Sequence, residues 1–321
     1  MSKNRFIFLA VAAVGGVLLT ACQKAPEATP ASAPTVQATT VAAAPAADKE
    51  VIELMHIHGL SYSPDGSKIL IPSHHGMAVF DGAGWSKAAG PQHDYMGFSA
   101  SQNALYSSGH PAPDSGLVNP FGVIKSTDGG QTWQKLGMEG ESDFHLLATS
   151  YASSAIYVVN HQQNSKMKGA GIYATFNDGF SWQRAAATGL NSAPTSLAVH
   201  PSNPKTIAAG TENGWFLSQN AGDTFQRIGD GKIAALSFDL NGKHLWLGTF
   251  NAEAGLTRFD LDSKEINKIS LPAMQKDAIA YIAQNPVKRS ELAIATLQRS
   301  AYLSRDEGKT WKQIADQGKT L

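Results

Sequence analysis

Histidines are concentrated near the start of the folded region. Seven of the ten histidines lie between positions 56 and 145. His56 and His58 are two residues apart in a segment, 56–62, that we predict to be a β-strand, so both rings should project to the same side. Imidazole is a ligand for zinc, copper, iron and nickel. The pair therefore predicts two ligands of one metal ion.

The remaining ligands of such a site would come from loops. Met55, Met77 and Met96 lie nearby in the sequence, and thioether sulfur favours Cu(I), so the expected ion is copper or zinc. The alternative is that these histidines only bond neighbouring carbonyl groups, because no pair has the spacing of a His-Glu-x-x-His zinc motif. The candidate ligands are His56, His58, His75, His93, His110 and His145.

The elements that would position these side chains are indicated by an internal repeat. Four segments share the pattern Ser/Thr-x-Asp/Asn-x-Gly-x-Ser/Thr-aromatic, and their first residues are 49, 43 and 86 positions apart. One period of about 45 residues fits six times into positions 50–321. The segments are 126–133, 175–182, 218–225 and 304–311.

Each conserved position of the repeat has a physical reason within the chain itself. The acid or amide should accept backbone N–H bonds inside a tight turn, and the glycine should take a positive φ. The aromatic ring that follows should be largely buried between sheets. The acids and amides are Asp128, Asn177, Asn220 and Asp306; the glycines are Gly130, Gly179, Gly222 and Gly308; the aromatic residues are Trp133, Trp182, Phe225 and Trp311.

The pattern resembles the Asp box, or bacterial neuraminidase repeat, of sialidase-like β-propellers. This resemblance implies an all-β fold of six four-stranded antiparallel blades, with seven blades as the alternative, in which each box joins the third and fourth strands of a blade. It implies little about activity, because Asp boxes occur in sialidases, sortilin-type receptors, xyloglucanases and photosystem assembly factors. The chain is also similar to bacterial Asp-box lipoproteins described as glycosyl hydrolase-like.

Blade topology places the loops between second and third strands, and those between blades, around the mouth of the central channel. Most of the candidate histidines map there, as do Asp94, Glu212, Glu253 and Arg299. Sialidases need three arginines, and only Arg299 is placed at this mouth. A different glycosidase would need two carboxylates that flank a cleft. We therefore favour a non-catalytic binding module, with a glycosidase-like hydrolase as the alternative.

The beginning of the sequence predicts export. An apolar run of about fourteen residues, 6–19, follows two basic residues, which is typical of a signal peptide. The sequence Leu-Thr-Ala-Cys that ends at Cys22 resembles the bacterial lipobox, and Cys22 is the sole cysteine. We predict a lipoprotein signal peptide over 1–21, a lipidated Cys22 with an Ala/Pro/Thr-rich tether over 22–49, and the propeller over 50–321. Gln23 after the cysteine implies the outer membrane of a Gram-negative host.

Charge excludes one class of partner. Removal of residues 1–21 takes away two of the 26 basic side chains and none of the 26 acidic ones, so the mature chain has a net charge of about −2. Nucleic-acid binding is therefore not expected. The expected protein is anchored in the cell envelope through its lipid and binds a metal ion, a protein or a glycan.

Overall fold

The computed structural model describes residues 51–274 and 276–321. Within these ranges every regular element is a β-strand, and the strands form six antiparallel sheets. The prediction of six blades is confirmed, and the seven-bladed alternative is excluded. The predicted signal peptide, Cys22 and the tether lie outside the described residues. No helix long and apolar enough to cross a membrane occurs among the residues described.

The strands follow one another from the inside of each blade to the outside. Blades one to three are β1 Ser61–Tyr62, β2 Ile69–Ser73, β3 Gly76–Phe80 and β4 Trp85–Lys87; β5 Asp94–Ala100, β6 Leu105–His110, β7 Val123–Ser126 and β8 Gln134–Gly137; β9 Leu147–Thr149, β10 Ile156–Asn160, β11 Gly171–Thr175 and β12 Gln183–Arg184. Blades four to six are β13 Pro194–Val199, β14 Ile207–Thr211, β15 Gly214–Ser218 and β16 Gln226–Asp230; β17 Ile233–Phe238, β18 His244–Asn251, β19 Glu253–Asp260 and β20 Ile266–Ile269; β21 Ile279–Gln284, β22 Leu292–Thr296, β23 Ala301–Ser304, β24 Lys312–Asp316 and a fifth strand, β25 Lys319–Thr320.

The core lies between neighbouring blades. Second strands such as β10, β14 and β22 are buried along their whole length, because a blade packs on each of their faces. These strands read as continuous apolar and small residues, whereas an outer strand such as β12 is exposed. Each of the six hydrophobic clusters combines residues from two adjacent blades. Burial between blades therefore holds the ring together.

The four Asp boxes have the same internal hydrogen bonds. In the first box Ser126 Oγ donates to Asp128 Oδ1 and accepts from Gly130 N, while Thr132 N donates to Asp128 Oδ1. The corresponding distances lie between 2.8 and 3.0 Å in all four boxes. The four glycines have φ between 77° and 91°, which confirms the predicted positive φ. Hydrogen bonds from Thr132, side chain first and then backbone, lower the pKa of Asp128 to about 2.

The tryptophans of the boxes are less buried than predicted. Phe225 is buried, but Trp133, Trp182 and Trp311 are only half-buried. Each ring packs against a core cluster shared with the preceding blade, as Trp133 does against Tyr95 with ring centroids 5.1 Å apart. The indoles keep an exposed edge because they enter the outermost strand, which has solvent on one side.

In two turns outside the repeat pattern, an aspartate also accepts backbone N–H bonds. Asp81 Oδ1 accepts bonds from Ala83 N and Gly84 N, both at 2.9 Å, in the hairpin between β3 and β4. Asp260 Oδ1 accepts equivalent backbone bonds in blade five. Trp85, which follows the first of these turns, donates from its indole to Ile314 O at 2.9 Å, across the junction of blades one and six. All six blades thus have this strand arrangement, although only four of them carry the full sequence pattern.

The ring is closed by the two ends of the described chain. Ile52 N donates to Thr320 Oγ1 at 2.8 Å, Leu54 N donates to Gly318 O at 2.6 Å, and Glu53 forms a β-bridge with Lys319. The segment before blade one therefore extends the sheet of blade six. Sequence periodicity did not reveal this contact, since it joins positions at opposite ends of the chain.

The inner strand of blade one is shorter than predicted. It begins at Ser61, and His56 and His58 lie in an irregular segment before it. His58 N donates to Pro72 O at 3.1 Å, but Pro72 has no N–H with which to continue the ladder. The prediction that both residues lie on a regular strand is therefore wrong, although their rings do lie on the same side.

Candidate metal site at the channel mouth

The candidate site lies where chain segments enter the inner strands. We call this end of the propeller the rim and define it by the residues that precede or begin β1, β5 and β9, by the β2–β3 turn and by the end of β6. His56 and His58 precede β1, His74 is in the two-residue β2–β3 turn, and Asp94 is the first residue of β5. Two blades thus supply side chains to one place.

Three imidazoles converge on the rim. His56, His58 and His74 each offer a ring nitrogen, and these nitrogens all lie within 4.8 Å of one another. The ring centroids of His74 are 4.5 Å from those of His56 and 4.8 Å from those of His58. Ligand nitrogens of a tetrahedral zinc site lie about 3.3 Å apart, so movements of about an ångström would bring the rings onto one ion.

Asp94 orients the cluster from the neighbouring blade. Its Oδ2 lies 2.7 Å from His74 Nδ1, and its Oδ1 lies 3.7 Å from His58 Nε2. Neither His58 Nε2 nor Asp94 Oδ1 has a hydrogen-bond partner among the described residues, although both atoms are buried. Burial lowers the pKa of His58 to about 4, against the opposing attraction of Asp94. The ring of His58 is therefore neutral at pH 7, as a metal ligand must be.

A second group of the same kind lies beside the first. His110 Nε2 is 3.1 Å and His145 Nδ1 is 3.5 Å from Asp143 Oδ2. His110 Nδ1 is 2.7 Å from Asn119 Oδ1. The predicted ligands His110 and His145 are thus brought to one carboxylate, apart from the three-histidine cluster.

Two other predicted ligands are placed elsewhere. His93 is 3% exposed, packs against Tyr95 and Phe121, and accepts a bond from Ala112 N at Nδ1. It is a core residue, and its assignment to the site is corrected. His75 is exposed, and its neighbour His74 joins the cluster instead. The sequence showed the His-His pair but not which ring turns inward.

Thioether ligation is not supported for Met77. Its side chain is 2% exposed and packs against Gly130 of the first Asp box, in the core between blades one and two. Met96 is also buried, and Met55 is partly exposed. The candidate ligand atoms of the site are therefore the ring nitrogens of the histidines.

The other candidates have separate surroundings. Glu212 pairs with Lys232 at 2.9 Å, and Glu253 is exposed where β18 turns into β19. Arg299 Nη1 donates to Met55 O at 3.4 Å and its guanidinium lies beside Gly318. Arg299 therefore ties blade six to the segment that carries His56.

The channel below the rim is a cavity of about 320 Å³ that is lined by both polar and apolar side chains. Each blade contributes to its wall from its innermost strand or the residue before it: Leu60, Phe98, Ala148, Leu197, Leu236 and Tyr281. Burial raises the pKa of Tyr281 to about 12, so its hydroxyl is neutral. His145 also lines this cavity, which connects the rim to the interior.

Six antiparallel sheets surround one channel, which defines the fold as a six-bladed β-propeller. The family model "BNR/Asp-box repeat" matches residues 124–135, within the first box. The chain is a six-bladed β-propeller that carries BNR/Asp-box repeats. No curated protein sequence matches it significantly.

Solved structures share this fold at low identity. A GH74 xyloglucanase from Xanthomonas campestris is 15% identical with a TM-score of 0.51; the match covers 83% of this chain and 46% of that one. Hydrazine synthase of Kuenenia stuttgartiensis is 15% identical with a TM-score of 0.51, covering 84% and 80%. YCF48 bound to D1 peptide is 18% identical with a TM-score of 0.49, covering 82% and 83%. The match covers less than half of the xyloglucanase, and at 15% identity the two structures with TM-scores of 0.51 show the fold alone.

Proposed function

We propose that the propeller is a cell-envelope binding module that holds a transition-metal ion at its rim through His56, His58 and His74. The observation that carries the proposal is the convergence of three imidazoles, one of which has a buried nitrogen with no hydrogen-bond partner in the described part of the chain. An unpaired buried polar atom costs about 1–3 kcal/mol, and coordination of a metal ion by this nitrogen would remove that cost.

The contacts of Asp94 support this role. A carboxylate that accepts the Nδ1–H of His74 leaves the Nε2 lone pair of that ring free for a metal. Carboxylate–histidine–metal arrangements of this type fix the tautomer and raise the basicity of the ligand. Asp94 is therefore assigned to the outer shell of the site, where it also offsets the charge of the ion.

The donor set favours zinc or copper. Three neutral imidazoles suit Zn²⁺ and Cu²⁺, and a three-histidine site leaves one position for a water molecule or an external ligand. His56 is exposed, so this position is accessible from solvent. A protein or glycan partner could supply the external ligand.

The envelope location rests on the sequence. A lipid on Cys22, followed by the tether over 22–49, would hold the propeller at a membrane surface, which is the outer membrane in a Gram-negative host. The hydrolase alternative has less support, because Asp94 and Asp143 each engage two histidines and Glu212 engages Lys232.

The test is a metal titration of the chelator-stripped mature domain, residues 23–321. Zn²⁺ and Cu²⁺ should bind the wild type, and His74→Ala should weaken binding at this site by about 100-fold or more. His75→Ala is the matched control, since it removes the adjacent exposed ring. Equal metal affinity in both variants would refute the proposal. Glycoside hydrolysis by metal-free protein would instead support the hydrolase.

A further inference from the structure

The group formed by His110, Asp143 and His145 is not explained by the three-histidine site. One oxygen of Asp143, Oδ2, faces both imidazoles, at 3.1 Å from His110 Nε2 and 3.5 Å from His145 Nδ1. The other oxygen, Oδ1, is buried and has no hydrogen-bond partner among the described residues. A half-satisfied buried carboxylate is costly unless a cation is nearby.

The surroundings hold part of this group in place. Asn119 contacts the Nδ1 atom of His110 at 2.7 Å, and this contact turns Nε2 of the same ring toward Asp143. His145 is the more exposed member, with 58% of its side chain exposed, and its contact with Asp143 is the longer of the two. Its ring would have to turn toward His110 for both imidazoles to share an ion, because the three groups do not all lie within 4.8 Å of one another as the first three histidines do. The ring of His145 also lines the wall of the channel, so an ion bound here would be reached from the cavity.

The two groups are neighbours in the fold. Asp94 and His110 are directly opposite each other on β5 and β6, and register partners of this kind have Cα atoms about 4.5–5.5 Å apart. His145 is also close enough to His58 to act on it electrostatically. The rim therefore presents two adjacent sets of donors, each with one aspartate whose buried Oδ1 has no hydrogen-bond partner within residues 51–274 and 276–321.

We propose that His110, Asp143 and His145 form a second metal position beside the three-histidine site. Its two imidazoles and one carboxylate suit a divalent first-row ion such as Zn²⁺ or Fe²⁺ and leave positions open toward the channel. Asn119 acts as the outer-shell partner that orients His110. The second position shares no ligand with the first, so a substitution can abolish metal binding at one position and leave the other intact.

Zinc stoichiometry of the folded, chelator-stripped mature domain tests this inference, with native mass spectrometry as the readout. The wild type should bind two zinc ions, and Asp143→Asn should bind one. The His56→Ala/His58→Ala variant should also bind one, at the second position. Asp114→Asn is the control, because Asp114 is an exposed acid in the loop after β6, and it should bind two ions.

The outcomes separate the two proposals. A wild type that binds one ion, lost in His56→Ala/His58→Ala and kept in Asp143→Asn, overturns the second position alone. A wild type that binds no zinc overturns both positions. If Asp143→Asn does not fold, His145→Gln replaces it, since His145 is exposed; retention of two ions in that variant then overturns the proposal.

Discussion

Gly129 and Glu307 occupy the same place in two Asp boxes and share a left-handed backbone, with φ of 75° and 61°. Asp178 and Ala221 hold this position in the other boxes, with φ of 52° and 62°. Each box therefore needs two successive residues with positive φ, and only the second is always glycine. Left-handed backbone costs a residue with a side chain about 1–2 kcal/mol.

Glu307→Gly should therefore stabilise the protein by about 0.5–1 kcal/mol, after allowance for the greater freedom of glycine in the unfolded chain. Gly129→Ala is the reciprocal change and should destabilise by about 1 kcal/mol, because an added Cβ there meets no atom within 4 Å and only the backbone term remains. Urea unfolding measures both. Shifts of the same sign would contradict the explanation.

Trp133→Ala should destabilise the protein by about 2–3 kcal/mol, below the range for a fully buried tryptophan, because the ring is half-buried. The loss comes from the contact with Tyr95 at the junction of blades one and two. Phe180→Ala, at a ring that is 85% exposed, is the control and should leave the unfolding midpoint unchanged. Equal effects would show that Trp133 does not stabilise the junction.

The metal-free protein should lose stability as the pH falls from about 6.5 to about 4. The pKa of His58 is lowered to about 4 in the folded state, so the unfolded chain binds a proton first in this window and is favoured. Thermal unfolding in chelator measures the effect. His58→Gln should make stability less dependent on pH over this range. An unchanged dependence would show that other titrating groups cause the loss of stability.

Thr320→Val should destabilise the ring closure by about 1–3 kcal/mol, because Ile52 N would lose the acceptor at 2.8 Å while it remains buried. Lys319→Ala changes the exposed neighbour on the same strand and serves as control. Chemical unfolding of the mature domain gives the comparison. A larger loss of stability in the lysine variant would show that the hydrogen bond to Thr320 is not the main contact that stabilises the closure.

Cys22→Ser should release the propeller from the membrane fraction, because the serine cannot carry the lipid that we predict for Cys22. Fractionation followed by immunodetection of the propeller measures the change. A substitution in the tether, Pro26→Ala, is the control and should leave the protein in the membrane fraction. Membrane retention of the serine variant would contradict lipid anchoring.

Much of the fold was predictable because the informative contacts are local. All partners of Asp128 in its box lie within four residues of it, so the turn could be deduced from the pattern. Blades one and five escaped the pattern because Asp81 and Asp260 form similar turns with different neighbours. The burial of Trp133 was overestimated, because the sequence does not show that this residue leads into the outermost strand of its blade.

The repeat, the six blades and the concentration of histidines near the rim could be inferred from the sequence, because strand period and turn chemistry act over a few residues. Which side chains meet depends on the packing of the blades. His74 rather than His75 joins His56 and His58, and Asp94 reaches them from the next blade. The direction of a ring in a two-residue turn depends on the twist of the hairpin, and contact across blades depends on how the sheets pack around the channel.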